Sequence, residues 1–227
     1  MPVAIDPQFS VYHLAERVQQ TSTLLSHRRT MSLVSYEIEN ATLIDGVRTR
    51  IFAAFQYYSK FLPQLARYTT LALRAESIYV FGVPDVTLPA LPNVTYIPLK
   101  RTDQLAKEWF LISYGREYFS ALATEELTSI TDPDHTRKFK GIWTFDVSMV
   151  SILEDWLSSA VDAQPLNVSE KDLNFDRQIR LMSNTMERLT RRIDRLNTRL
   201  TDAENAVAQE LSERVNASLA PTLQARR

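Results

Sequence analysis

Cysteine is absent from the 227 residues. Its absence excludes disulfides, thiolate nucleophiles, iron–sulfur clusters and cysteine-ligated zinc in one step, and it fits a reducing compartment. Glycine is scarce: Gly46, Gly82, Gly115 and Gly141 each stand alone. A phosphate-cradling loop needs clustered glycines so that backbone N–H groups can approach the ligand. Neither a Walker A loop nor a dinucleotide fingerprint can be written here. The three histidines, His13, His27 and His135, lie far apart and make no HExxH or HxH spacing, so no metal site is assigned. Long apolar runs are missing too. The longest unbroken one, residues 51–55, falls far short of the ~20 residues that span a bilayer. Residues 1–6 have neither the basic n-region nor the apolar h-region of a signal peptide. These readings predict a cytoplasmic protein with no membrane partner. Charge is balanced as well, 26 Lys+Arg against 27 Asp+Glu, which disfavours broad binding to nucleic acid.

What is present is hydrophobic periodicity. Ser10 reads as the N-cap of a helix over residues 10–25, with Val11, Leu14 and Val18 on one face. Arg28-Arg29-Thr30 leads into a second helix whose stripe is Met31, Val34, Ile38 and Ala41, stopped by Asp45-Gly46. Residues 51–56 are apolar on both faces, as in a strand covered on both sides. Residues 59–75 return to helical period, with Pro63 in the first turn, and residues 77–81 form another doubly covered strand. That order is a βαβ unit with a parallel pair. A short strand at 94–97 is held to an edge by Pro98. Residues 109–114 and 118–124 flank Gly115-Arg116 as a hairpin. Residues 128–138 read as an exposed loop and 139–145 as the last strand. Asp146 then caps a helix with the stripe Val147, Val150, Leu153, Leu157 and Val161. The predicted architecture is α/β: a mixed sheet of about six strands with packed helices over residues 1–162. A linker (163–175), a long coiled-coil helix (176–220) and a tail (221–227) follow.

The coiled coil is read from a heptad seam. Position a is Ile179, Met186, Ile193, Leu200 and Val207; position d is Met182, Leu189, Leu196 and Ala203. Mostly β-branched a residues with leucine at d favour two parallel strands. In that register Arg199 at g reaches Glu204 at e of a partner. After Val207 the spacing becomes four by four (Leu211, Val215, Leu219), which unwinds the supercoil, and Pro221 ends it. A helix folded back on its own domain carries an apolar stripe ~100° wide. This seam is narrower, so the expected partner is a second copy in a parallel homodimer.

Four segments, in order, carry a family resemblance: Arg28-Arg29-Thr30-Met31 entering the second helix, Ile51-Phe52-Ala53-Ala54-Phe55-Gln56, Leu105-Ala106-Lys107-Glu108-Trp109, and Gly141-Ile142-Trp143-Thr144-Phe145-Asp146. Together they resemble the DICT sensory domain, a signal-input domain of cyanobacteria and haloarchaea that accompanies diguanylate cyclase and two-component modules. The resemblance implies a cytoplasmic sensory domain of unassigned ligand, often joined to an output module. No GGDEF, EAL or phosphoacceptor-histidine motif occurs here. The coil is therefore expected either to lead to an output module in cis or to present the domain to a protein partner in trans.

The candidate ligand- or partner-binding residues are Arg28, Arg29, Gln56, Tyr57, Trp109 and Trp143. Arg28 and Arg29 stand at a helix start, where an anion is favoured, or form a solvated basic pair. Gln56 ends a buried strand and needs hydrogen-bond partners, in a site or in the framework. Tyr57 walls the same strand end. Trp109 and Trp143 either line a pocket or fill the core. Glu108 has no second carboxylate, nucleophile or metal ligand in a recognisable arrangement with it, so no catalytic residue is assigned and the chain reads as non-enzymatic. No cofactor is assigned. The alternative to a sensor is an adaptor that docks a partner complex through the α/β domain.

Overall fold

The structure, a computed structural model, describes residues 5–18 and 24–224, with side chains as far as Leu211. Seven strands make one mixed sheet: β1 Leu24–His27, β2 Arg50–Tyr57, β3 Ser77–Val83, β4 Val94–Pro98, β5 Glu108–Tyr114, β6 Phe119–Glu126 and β7 Lys138–Thr144. They lie in the order β1-β7-β6-β5-β2-β3-β4. β2, β3 and β4 are mutually parallel, and the other neighbours are antiparallel. The βαβ unit and the β5–β6 hairpin stand as the sequence predicts.

The period-2 pattern explains why the sheet is covered on both sides. Along β2, Phe52 and Ala54 face one core and Ile51 and Ala53 the other. Along β5, Phe110 and Ile112 alternate with Trp109 and Leu111 in the same way. The first core lies under α1 (Val11–Val18) and α5 (Val147–Ala160), the second under α2 (Arg28–Leu43) and α4 (Leu65–Ala72). Asp146 caps α5 as predicted, accepting the Met149 N–H at 2.8 Å. Gly46, at φ 75°, makes the turn after α2.

Four expectations are corrected. The first helix ends at Val18, and Leu24-Leu25 belong to the edge strand β1, antiparallel to β7. This raises the strand count from about six to seven; residues 19–23 lie outside the described ones. The crossover helix is broken at Pro63 into α3 (Tyr58–Phe61), a 3-10 turn (Leu62–Gln64) and α4, because proline leaves the ladder without a donor. The loop before β7 is exposed over most of its length, but Arg137 within it is among the most buried side chains. The helix α6 (Phe175–Gln224) runs past Pro221.

The chain forms two compact units, Met1–Thr185 and Met186–Arg227. In the first, a clasp of polar groups holds the start of β2 to the segment after α5. Arg50 donates from Nη1 to Glu154 Oε1 (2.8 Å), Ser158 Oγ (3.0 Å) and the Gln164 carbonyl (2.6 Å), and Glu154 also accepts the Leu166 N–H. The root of α6 is built into the same unit. Leu181 is fully buried in the second core, and Gln178 bonds both the N–H and the carbonyl of Phe119.

Gly141 sits opposite Thr124 and Leu24 in the sheet. A Cβ there would lie 2.3 Å from Thr124 Cγ2 and 2.6 Å from the Ala123 carbonyl. Thr124 has no room to yield, because its hydroxyl donates to the Trp109 carbonyl at 2.6 Å. Gly141→Ala is therefore expected to lower unfolding free energy by roughly 1–3 kcal/mol through overpacking, measured by denaturant titration.

Candidate functional site

β2 ends in an irregularity: its register against β3 shifts between Ala54 and Tyr57. Gln56, inside that bulge, has φ 61°, a left-handed conformation that costs a side chain bearing Cβ on the order of 1 kcal/mol. The bulge turns two successive residues, Phe55 and Gln56, to the α2 face of the sheet, where they line a cavity of about 60 Å³. That is space for roughly five waters at ~10–15 Å³ each. Tyr57 falls on the opposite face and packs with the first core, under Arg101.

Of the six candidates, Arg28, Gln56 and Trp109 line this cavity together. Arg29 is exposed at the start of α2 and does not line it. Trp143 is half-buried beside Phe145, donates to Ser120 Oγ at 3.1 Å, and stands away from the cavity. Helix-start N–H groups do not serve the cavity either: α3 has four residues, and its Ser59 N–H is taken by Asp85 at 2.9 Å.

Arg137 and Glu39, which the sequence left unmarked, complete the wall. Arg137 donates to both Glu126 oxygens at 2.7 Å and to Gln56 Oε1 at 2.6 Å; Gln56 Nε2 donates back to Glu126 Oε2 at 2.8 Å. Burial pushes the Glu126 carboxyl up, but the Arg137 and Gln56 hydrogen bonds outweigh it and hold the group below the usual range. Glu39 is held by Arg67 and accepts from the Tyr68 hydroxyl at 2.9 Å. Burial dominates there, raising Glu39 and taking Tyr68 well above its ordinary value. At the other end of the wall, Trp109 donates to Ser35 Oγ (3.1 Å) and the Arg28 guanidinium lies 5.8 Å over its ring. A wider groove of about 410 Å³ lies near the start of β2, beside Arg48, Glu76 and Leu166. Arg48 pairs with Glu76 at 2.7 Å, and none of the sequence candidates lines it.

Glu108 has a structural task elsewhere. Fully buried, it accepts the Ser10 hydroxyl at 2.5 Å and the Val11 and Tyr12 N–H groups at 3.0 and 3.1 Å, while Ser10 Oγ caps the His13 N–H. It anchors the start of α1 to β5. Among the described residues no group of three or more His, Asp or Glu is placed to hold a metal ion. No described helix is long and apolar enough to cross a membrane.

Two outcomes follow. Gln56→Leu removes a donor and an acceptor from the Arg137–Glu126 pair, so it should lower stability by about 1–3 kcal/mol, read by chemical denaturation. Burial lifts the Glu108 pKa to about 7 from 4.5, against the pull of its three hydrogen bonds. Between those values the unfolded chain releases its proton while the folded one keeps it. Stability therefore falls as pH rises through that window, by at most about 3 kcal/mol. Glu108→Gln should flatten the decline in denaturation curves taken from pH 4.5 to 8.

The family model described as "Sensory domain in DIguanylate Cyclases and Two-component system" (DICT) matches residues 8–127. The match takes in Arg28, Gln56, Trp109 and the Glu108 anchor. Arg137 and the Gly141–Asp146 segment lie beyond it. No curated protein matches the chain. Among solved structures, a polyphosphate kinase from Porphyromonas gingivalis is similar at 16% identity and a TM-score of 0.35, over 60% of this chain and 23% of that one. A likeness at that level carries no argument about fold or activity. The DICT match, by contrast, covers more than half of the 227 residues: the chain belongs to the DICT family of sensory domains.

Proposed function

We propose that this chain is a non-enzymatic signal-input module that dimerises in parallel through α6. It passes the state of its α/β domain along that helix to an output module, in cis or in trans. The observation that carries this reading is the way the root of α6 divides its faces. Gln178, Leu181 and Thr185 are buried at positions i, i+3 and i+7, against the domain. Ile179 is 62% exposed on the same turns. The seam begun by Ile179 continues through Met186, Ile193, Leu200 and Val207, all exposed in the single chain. A soluble helix rarely leaves such a line of large apolar side chains in water without a partner. The heptad spacing, β-branched a residues and a possible g-to-e pair from Arg199 to Glu204 commit that partner to a second copy in parallel register.

The domain end of the helix is tied to the sheet through both backbone groups of Phe119, the first residue of β6. A shift in the β5–β6 hairpin would thus move Gln178 directly. The output must respond to a difference between two states of the domain, since a ligand that binds both equally shifts nothing. Ile193→Lys combined with Leu196→Lys places like charges in adjacent seam layers and should give monomers with the domain still folded. Light scattering at micromolar concentration checks this. A wild-type chain that is itself monomeric would remove the coil from the proposal.

A further inference from the structure

The cavity beside Gln56 has an unbalanced lining. Its cations are Arg28, Lys60 and Arg137, and its one acid is Glu39. Glu39 is neutralised from outside the wall by Arg67, and Arg137 by Glu126. That leaves Arg28 and Lys60. Lys60 is exposed and makes no ion pair among the described residues. Arg28 has a buried Nε without a hydrogen-bond partner, although such a donor is normally satisfied because leaving it bare is costly. Around these cations the wall is aromatic: Tyr36, Phe55, Tyr68 and Trp109.

One acid does reach Arg28, and it comes from outside the cavity lining. Asp134, in the loop between β6 and β7, accepts from Arg28 Nη1 at 2.9 Å and lies 3.7 Å from Arg137 Nη1. It is 60% exposed, so this pair is screened by solvent and weak. A carboxylate resting on two guanidinium groups at the rim of a cavity is in the position that a ligand's carboxylate or phosphate would take.

We propose that this cavity binds the anionic head group of a small organic carboxylate or phosphate through Arg28 and Lys60, with Asp134 as the loop's own competing carboxylate. The ligand's remainder lies along the Trp109 and Tyr36 rings. The inference rests on the reading of this domain as a signal-input module. It adds a consequence: ligand arrival releases Asp134, and with it the loop whose other end carries Arg137 and the start of β7. The device is an exchange of one anion for another, so it works without opening the core.

Benzoate and inorganic phosphate are the probes, with benzamide as the neutral isostere of benzoate, titrated by calorimetry into the full chain. Asp134 and Lys60 are exposed and Arg28 is partly so, and a thermal melt of each variant checks that it is folded. Benzoate should bind wild type and benzamide should not. Asp134→Asn should tighten benzoate by about 3- to 10-fold, the effect of removing one competing surface charge. Arg28→Gln should weaken it by about 10-fold or more, the loss of a charge-assisted hydrogen bond, and Lys60→Gln should weaken it less. Benzamide binding as well as benzoate would overturn the anion assignment while leaving a ligand-sensing cavity. An unchanged affinity in Asp134→Asn would overturn the competition. Absence of binding by benzoate and phosphate to wild type and to Asp134→Asn at millimolar concentration would overturn the site, and the dimer test of the stalk would stand apart from that result.

Discussion

A guanidinium cannot be left bare inside a protein, and the burial of Arg137 constrains everything at one end of this sheet. Its charge is met by Glu126 from the end of β6 and by the Gln56 carbonyl from the end of β2. β5 lies between those two strands, so the bridge spans a strand that backbone pairing alone does not let β2 and β6 cross. Removing one partner of such a pair commonly costs about 3–5 kcal/mol, because a buried charge is left behind. The left-handed backbone of Gln56 is tolerated for the same reason: two short hydrogen bonds hold its amide where the bridge needs it. The cavity is a by-product of this geometry. A bulge that turns Phe55 and Gln56 to one face leaves a space that Tyr36, Tyr68 and Trp109 surround without filling.

The other end of β2 is fixed by a second buried ion pair. Arg50 and Glu154 tie the strand to α5 and to the extended segment that leads toward α6. Burial pushes the Glu154 carboxyl above its usual range, with the Leu166 N–H, Ser158 and Arg50 opposing. Between the two pairs, β2 is apolar on both faces and packed by neighbours on both sides. A strand so held transmits displacement better than it absorbs it, since close-packed interiors shift between discrete arrangements and do not deform smoothly.

Most of the framework was legible because it rests on local rules. Helical period marked α2 and α5, a side-chain cap marked the start of α5, and runs apolar on both faces marked β2 and β3. The edge strand β1 was not legible: Leu24-Leu25-Ser26-His27 is too short for a periodic signal, and it is a strand only because β7 pairs with it. Arg137 was hidden for a similar reason. It stands in a polar run, Asp132-Pro133-Asp134-His135-Thr136-Arg137, that reads as solvent-exposed. Its burial comes from Glu126, 11 residues away, and Gln56, 81 residues away. At the site, Arg28, Gln56 and Trp109 were found through residue type and the family resemblance, while strand alternation alone would have put Tyr57 on the wrong side of the same wall. Trp143 was misplaced because a tryptophan on a strand can pack at the sheet's margin as readily as at its centre.

The root of α6 also fixes a phase. Leu181, docked on the domain, and Met182, at the second seam position, are neighbours in sequence and so stand ~100° apart around the helix axis. That angle sets which side of the domain faces the seam. One residue inserted between Thr185 and Met186 would rotate the remaining seam by another ~100° about the same axis, while seven would return it to within ~20°. Stalks in proteins built on this plan should therefore vary in length by whole heptads, and a stalk of any other length would present its output turned out of register with its input.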